Sequence, residues 1–395
     1  MAQTSTLHAA KDAKNDEFYT RYEDIQEELN HYEKNFHGKT VLCNCDDPFE
    51  SNFCKFFLRN FNYLGLKRLI CTSYTTSPVV GTQMTIWDLL GEPVQRGNGY
   101  VMDISEVPMA NGRGVSDDDI DKLLHSKKRG VKKLTGNGDF QSEECIEYLK
   151  QADIVVTNPP FSQFREYVSL LVKYNKEFLI IGNMNAITYK EVFKLIKENK
   201  LWLGCRSLNK DMYFDVPEER RKWLKENKKE GSAYKIINGN VMGRLASACW
   251  FTNMDTIKRH EKMILYRRYN EEDYPKYDNY NAINIDKVTD IPIDFDGVMG
   301  VPITFLDKYN PEQFEIIGMT QRGCHDESLE LKKYDDYWEV KPNGERTGSS
   351  GSKTNGNPNL AQNDGKHNYF INAEGHIVQS CYQRILIKQR KKEEL

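Results

Sequence analysis

Long apolar runs are missing from this chain. The longest, Phe178–Ile181 and Ile154–Val156, fall far short of the roughly 20 residues that cross a bilayer, so no transmembrane helix is expected. No apolar stretch follows a basic start in the first 18 residues, so no secretory signal is read and the expected compartment is the cytoplasm. The nine cysteines are an odd number. They are scattered, with no C-x-x-C pair and no matching histidine cluster, which argues against a disulfide framework and a structural zinc site; no metal is expected. A dominant charge is missing too. Lys and Arg number 55 against 58 Asp and Glu, a net charge of −3, which excludes a uniformly basic histone-like binder but not local basic patches. No internal repeat at solenoid periods is visible.

What remains is a chain of 395 residues, 39% hydrophobic and 11% aromatic, enough for two or three domains with real cores. The first strand signal, Lys39–Cys45, stops at Asp46-Asp47-Pro48. Cys43 and Cys45, one residue apart, are expected to share a face of that strand. A helix follows over Asn52–Asn60, with Phe53, Phe56 and Phe57 at helical spacing, and a second strand over Leu69–Thr72. Residues 74–133 carry more Gly, Asp and Lys and read as an insertion, with a hairpin at Arg96–Gly99 leading into Tyr100–Ile104. Alternation resumes with a helix over Ser142–Gln151, capped by Ser142, and a strand over Ile154–Thr157. Then come a helix over Ser162–Tyr174, a strand over Phe178–Gly182, a helix over Tyr189–Glu198, and late strands in 201–205 and 245–252. Strands alternating with helices of this length imply an α/β, Rossmann-like fold whose mostly parallel sheet is covered by helices.

After about residue 270 short strands follow one another without helices: Ile291–Phe295, Val301–Leu306, Phe314–Gly318, Tyr337–Val340, Asn368–Ile371 and Arg384–Lys388. This predicts a catalytic domain over 1–270 and a smaller β-rich domain over 271–395. Within the latter, 347–365 is rich in Gly, Ser, Asn and Lys and reads as a mobile loop.

The most specific signal is Asn158-Pro159-Pro160-Phe161 at the carboxyl end of a buried strand, where open α/β sheets bind ligands. The exocyclic amino group of adenine is a poor nucleophile because its lone pair is delocalised into the ring. The Asn158 amide oxygen and the Pro159 carbonyl can each accept one amino hydrogen, drawing the nitrogen toward a tetrahedral shape. Two prolines fix φ and hold the acceptors in place, and Phe161 offers a flat face on which the base stacks. The plainer alternative is a Pro-rich turn entering a helix.

In these features the sequence resembles the amino-type S-adenosylmethionine-dependent DNA methyltransferases, and more closely the EcoRI-type adenine-specific group. The resemblance covers nearly the whole chain. It rests on Asn15–Thr20, on Cys43-Asn44-Cys45-Asp46-Asp47-Pro48, on the tetrapeptide at 158–161, and on Met299–Phe305. It implies S-adenosylmethionine as cofactor and transfer of a methyl group to the N6 of an adenine flipped out of duplex DNA. Double-stranded DNA is the implied partner, and a restriction–modification setting, with an endonuclease cognate to the same site, is left open.

The same resemblance assigns roles by position. Phe18, Tyr19 and Thr20 match the segment that closes over the cofactor's methionine end. Cys43, Asn44, Asp46 and Asp47 stand where the first cofactor loop falls. The usual glycine-rich pattern is replaced by an acidic turn, suited to a cationic amino acid and unsuited to a pyrophosphate, unless an aspartate there merely caps the next helix. Thr72 and Ser73 take the place of the acid that holds the ribose. Asp139 and Phe140 match the element that contacts the cofactor's adenine. For DNA phosphates the candidates are the basic clusters at Lys127, Lys128 and Arg129, at Arg220 and Arg221, at Arg267 and Arg268, and at Lys388–Lys392. Base reading is expected from the β-rich domain.

Three other readings share the pattern. They are methyl transfer to RNA or to a protein amide, transfer to the amino group of cytosine, and a DNA-binding protein with an inactive methyltransferase-like fold.

Overall fold

A computed structural model describes residues 19–47, 51–74, 99–109, 115–124, 131–216, 218–321 and 327–390. Two compact units emerge, one formed by residues 1–186 and 202–254, the other by 187–201 and 255–395. The change of pattern in the sequence falls later, at about residue 270.

The first unit is built on an eight-stranded sheet. Its strands are β2 (Thr40–Cys43), β3 (Arg68–Ser73), β4 (Tyr100–Ile104), β5 (Val131–Lys133), β6 (Ile154–Thr157), β7 (Glu177–Asn183), β8 (Trp202–Leu203) and β12 (Ala248–Thr252), and the spatial order is β5-β4-β3-β2-β6-β7-β12-β8. The four central strands run parallel. β4, β5, β12 and β8 pair antiparallel on either side. The sheet is therefore mixed, not mostly parallel. β4 and β5 lie within the stretch read as an insertion, so part of that stretch completes the sheet; its residues 75–98, 110–114 and 125–130, including the expected turn at 96–98, lie outside the described residues.

Every residue of β2 and β6 is buried, as central parallel strands covered on both faces require. Alternation sends Val41, Cys43, Ile154 and Val156 to one face. There they join a core with Ile25 and Leu29 of α1 (Tyr22–Leu29), Phe53, Phe56 and Phe57 of α2 (Asn52–Asn60), and Ile120 and Leu123 of α3 (Asp117–Leu124). The other face is covered by α4 (Glu143–Gln151) and α5 (Phe164–Lys173). Gly182 of β7 lies so close to the Phe164 ring that an added Cβ would meet it at 2.4 Å. Ser142 caps α4 as its position predicts, accepting the Cys145 N–H at 3.3 Å.

A smaller antiparallel sheet was not anticipated. It runs β1 (Tyr19–Thr20), β9 (Met212–Asp215), β11 (Asn240–Leu245), β10 (Tyr234–Ile237), with Met212 and Phe214 reaching the main core. Asn238 and Gly239, both at positive φ, make the β10–β11 turn, a hairpin signal readable from the sequence.

In the second unit β13 (Ile283–Asn284), β14 (Met299–Pro302), β21 (Arg384–Gln389) and β15 (Phe314–Met319) form one sheet in that order. A five-stranded sheet has the order β17 (Arg346–Ser350), β16 (Trp338–Val340), β19 (Tyr369–Ile371), β20 (Ile377–Ser380), β18 (Asn359–Leu360). The helix Lys190–Lys197 belongs to this unit. The expected strand over Ile291–Phe295 is reduced to a bridge at Pro292, and that over Val301–Leu306 turns into a 3-10 segment after Pro302.

Residues 347–365, read as a mobile loop, instead contribute strands at 346–350 and 359–360. Their polar side chains bond one another. Thr354 donates to Asn359 at 2.7 Å, Asn359 N–H donates to Asn279 at 3.0 Å, and Lys353 reaches Glu339 at 2.8 Å. Composition alone cannot show that such partners exist.

Within the first unit Glu28, 1% exposed, accepts the backbone N–H groups of Cys205 at 2.6 Å and Arg206 at 2.7 Å and the Tyr32 hydroxyl at 3.0 Å. Arg206 in turn bonds Asp24 at 2.8 Å. This network fastens α1, and with it β1, to the 204–206 turn. Glu28→Ala is expected to lower the free energy of unfolding by about 3 kcal/mol, since it leaves buried donors unsatisfied. The exposed Glu23→Ala should shift it by less than about 0.5 kcal/mol. Urea unfolding of the two variants checks the difference.

Candidate active site

From β2 the chain moves to β3 on one side, while β6 and then β7 extend the sheet on the other. The gap beyond the carboxyl ends of β2 and β6 is thus a topological switch point, the place where open α/β sheets bind ligands. Of the residues singled out from the sequence, Asn44, Asp46 and Asn158 stand at the strand ends that border it.

Asp46 is the joint. Its backbone N–H donates to the Thr72 carbonyl of β3 at 3.2 Å, its Oδ1 accepts the Ser51 hydroxyl at 2.7 Å, and its Oδ2 accepts the Thr157 hydroxyl at the end of β6. Ser51 also caps α2, accepting the Phe53 N–H at 3.1 Å. The cap of that helix is therefore Ser51 and neither aspartate. Burial pushes the Asp46 carboxyl up to about 8, reinforced by the neighbouring Cys54 and opposed by the Thr157 and Ser51 hydroxyls.

Asn44, 2% exposed, accepts the Tyr167 hydroxyl, while its Nδ2 is buried with no hydrogen-bond partner among the described residues. Tyr167 stands edge-on to Phe140, ring centroids 5.0 Å apart, so the 139–140 element reaches the end of β2 through one tyrosine. Gly138 brings this loop in. It sits at φ +81°, and a Cβ there would come within 2.0 Å of the Ser73 carbonyl oxygen at the end of β3. Asp139 Oδ1 accepts the Gln141 N–H at 2.8 Å.

Thr157 leads into Asn158, which is half-buried; Pro159 is buried, Pro160 half-buried, and Phe161 half-buried against the main core. A 3-10 turn, Phe161–Gln163, precedes α5, so the helix begins at Phe164 rather than Ser162. Thr20 is buried in β1, and its carbonyl accepts the Asn52 amide at 2.8 Å, which puts the 19–20 segment at the start of α2 next to Ser51.

Other expectations fare differently. The Cys43 side chain points into the core against Cys54 and Cys71, leaving only its backbone for a ligand, and Cys45 instead neighbours Thr157 and Asp139. The strand ends at Cys43, so the two cysteines do not share surroundings. Thr72 is buried near the carboxyl end of β3, where its carbonyl meets the Asp46 N–H and its hydroxyl lies near Cys145. Arg221 is tied to Asp215 at 2.5 Å and to the Val216 carbonyl at 2.8 Å. Arg220 lies over the Trp223 ring at 4.2 Å. In the second unit Arg267 is 3.4 Å from Asp290, and Arg268 is exposed. Phe18, Lys127, Lys128, Arg129 and the basic residues after 390 lie outside the described residues. No group of side chains suited to a metal occurs among the described residues, nor any helix long and apolar enough to cross a membrane.

Sequence reasoning missed Thr157, Ser51 and Tyr167. Thr157 had a signal, a hydroxyl closing an otherwise apolar strand, and Ser51 stands at the N-cap position of a clear helical run. Tyr167 had none, because its partner is 123 residues away.

The model of the family described as adenine-specific methyltransferase EcoRI matches residues 6–390. The chain belongs to this family of adenine-specific DNA methyltransferases. It is 45% identical over 345 residues to the Type II methyltransferase M.EcoRI of Escherichia coli, spanning 86% of this chain and 97% of that protein. It is 38% identical to the Type II methyltransferases M.MgeORF184P of Mycoplasma genitalium and M.MpnI of Mycoplasma pneumoniae, with 79% of this chain aligned to 85% and 84% of theirs. No solved structure matches the chain.

The Asp46 carboxyl gives the site a pH signature. Its folded value of about 8 lies above the roughly 3.9 of an unfolded aspartate, so between these values the folded chain keeps a proton that the unfolded chain has released. The resulting stabilisation is whole below about pH 4 and is lost as pH rises through about 8. The stability of the parent relative to Asp46→Asn should therefore fall with rising pH between 5 and 8, by at most about 1.4 kcal/mol per unit. Urea unfolding of the cofactor-free proteins at several pH values checks this; a constant difference would mean that Asp46 titrates normally.

Proposed function

We propose that this enzyme transfers a methyl group from S-adenosylmethionine to the N6 of an adenine flipped out of duplex DNA. The observation that carries the proposal is the Thr157–Asp46 hydrogen bond, which joins the strand end bearing Asn158 to the acidic turn of Asn44–Asp47. Target and cofactor residues thereby share one switch point.

The residues present fit the methionine end of the cofactor. The buried, unpartnered Nδ2 of Asn44 is a donor suited to its carboxylate, and the acidic turn of Asp46 and Asp47 is suited to its ammonium group. Phe140 and Asp139 would flank its adenine, and Thr20 would close over it. When bound, S-adenosylmethionine supplies a methyl group activated by a sulfonium. The chain's own part is positioning. Asn158 Oδ1 and the Pro159 carbonyl accept the two amino hydrogens of the target adenine and turn its lone pair out of the ring. Phe161 stacks on the base, contributing about 1–3 kcal/mol toward the cost of unstacking it. No general base need precede transfer, because the amino proton leaves after the nitrogen has become cationic.

The relatives' names as Type II methyltransferases support a restriction–modification setting, in which a cognate endonuclease would act on the same DNA site.

Asn158→Ala is expected to reduce turnover at least about a thousandfold, the loss of two or more orders that follows removal of a transition-state hydrogen bond, while cofactor affinity measured by calorimetry changes less than about threefold. Loss of turnover and cofactor binding together would mean that Asn158 only holds the strand end in shape.

A further inference from the structure

We propose that α6 (Glu218–Asn227) and the β10 strand beside it form a grip on the phosphate backbone of duplex DNA, separate from base reading and located on the first unit. The inference rests on DNA being the substrate, as proposed above.

Two features of this surface point to nucleic acid. The first is unbalanced, unpaired positive charge. Residues 218–235 carry seven Lys and Arg against four Glu. Arg221 is tied down by Asp215 and Glu218, and Glu230 accepts the Ile236 N–H at 3.1 Å. Lys222, Lys225 and Lys229 are exposed and none forms an ion pair among the described residues, although Glu226 stands four residues beyond Lys222, a spacing at which helical pairs form. The patch thus keeps an excess of three positive charges over its own glutamates.

The second is aromatic interleaving. Trp223 is 39% exposed, with Arg220 4.2 Å and Lys228 5.4 Å from its ring centre. On the sheet, Lys235 stands 5.9 Å from the ring of Tyr213. Cations resting on aromatic faces keep their charge while their carbon stems are held in place, which lowers the cost of ordering them on a phosphate.

The patch is also firmly mounted. Leu224 packs with Val216, Tyr234 and Val241, so the helix and the hairpin share one small core. β9 of this sheet pairs with β1, whose Thr20 abuts the candidate active site. Backbone contacts of this kind set register and add affinity without selecting a sequence.

The test is binding of the full-length protein to a target-bearing duplex and to an unrelated duplex over a range of salt, for the parent and for Lys228→Ala/Lys235→Ala. The slope of log affinity against log salt should become shallower by about 0.9 per lost phosphate contact, roughly 2 for the pair. Affinity should fall by the same factor on both duplexes, with cofactor binding and thermal midpoint unchanged. A parent-like salt slope would overturn the proposal, as would a loss confined to the target-bearing duplex, which would make the lysines base readers. Trp223→Phe should keep DNA affinity near that of the parent, while Trp223→Ala weakens it several-fold; equal affinity of both with the parent would remove the aromatic part. If the parent methylates DNA and the slope does not move, only this grip is disproved. If the parent neither binds nor methylates DNA, the functional proposal itself fails.

Discussion

One buried carboxyl group holds the site together. Asp46 touches β3 through its backbone, the cap of α2 through Ser51 and the end of β6 through Thr157. Parallel strands end without a direct link between their carboxyl tips, and the loops leaving them are free to diverge. A side chain with two acceptor oxygens, placed where three such tips meet, fixes their spacing. The buried position raises the cost of ionisation, and the two hydroxyl donors lower it without removing it. The strand end that carries Asn158 is positioned by this joint, through the Thr157 hydroxyl that precedes it.

Much of the first unit was legible because its elements are strongly patterned. Asn52–Asn60 and Ile154–Thr157 match the expected helix and strand, and Phe178–Gly182 lies within β7. Continuous apolar runs bounded by turns report burial on both faces, and the phenylalanines of 53–57 report a helical face. Strand direction is not written in such patterns. β4 reads as a strand from its sequence, yet its pattern does not show that it pairs antiparallel with β3, with Gly99 close against the Ser73 carbonyl. The small sheet escaped notice because its strands are short and come from distant segments, although Asn238-Gly239 marked one turn.

The candidate site was legible as a set of motifs and illegible as a network. Asn158, Asn44 and Asp46 were named, but the groups that connect them are a threonine, a serine and a tyrosine, residue types too common to stand out. Cys43 shows a different limit. It lies inside a motif, yet its side chain belongs to the core, since strand alternation at 41–43 turns it toward Cys54. The polar stretch at 347–365 shows the same limit from another side, because Asn359 is fully buried by bonds to Asn279 and Thr354 that composition cannot reveal.

The most direct measurement is transfer of labelled methyl from S-adenosylmethionine to unmethylated duplex DNA by the purified protein, followed by nucleoside analysis of the product. The account predicts label in N6-methyladenine and in no other nucleoside. Label in 4-methylcytosine, or transfer to RNA or protein in place of DNA, would contradict it.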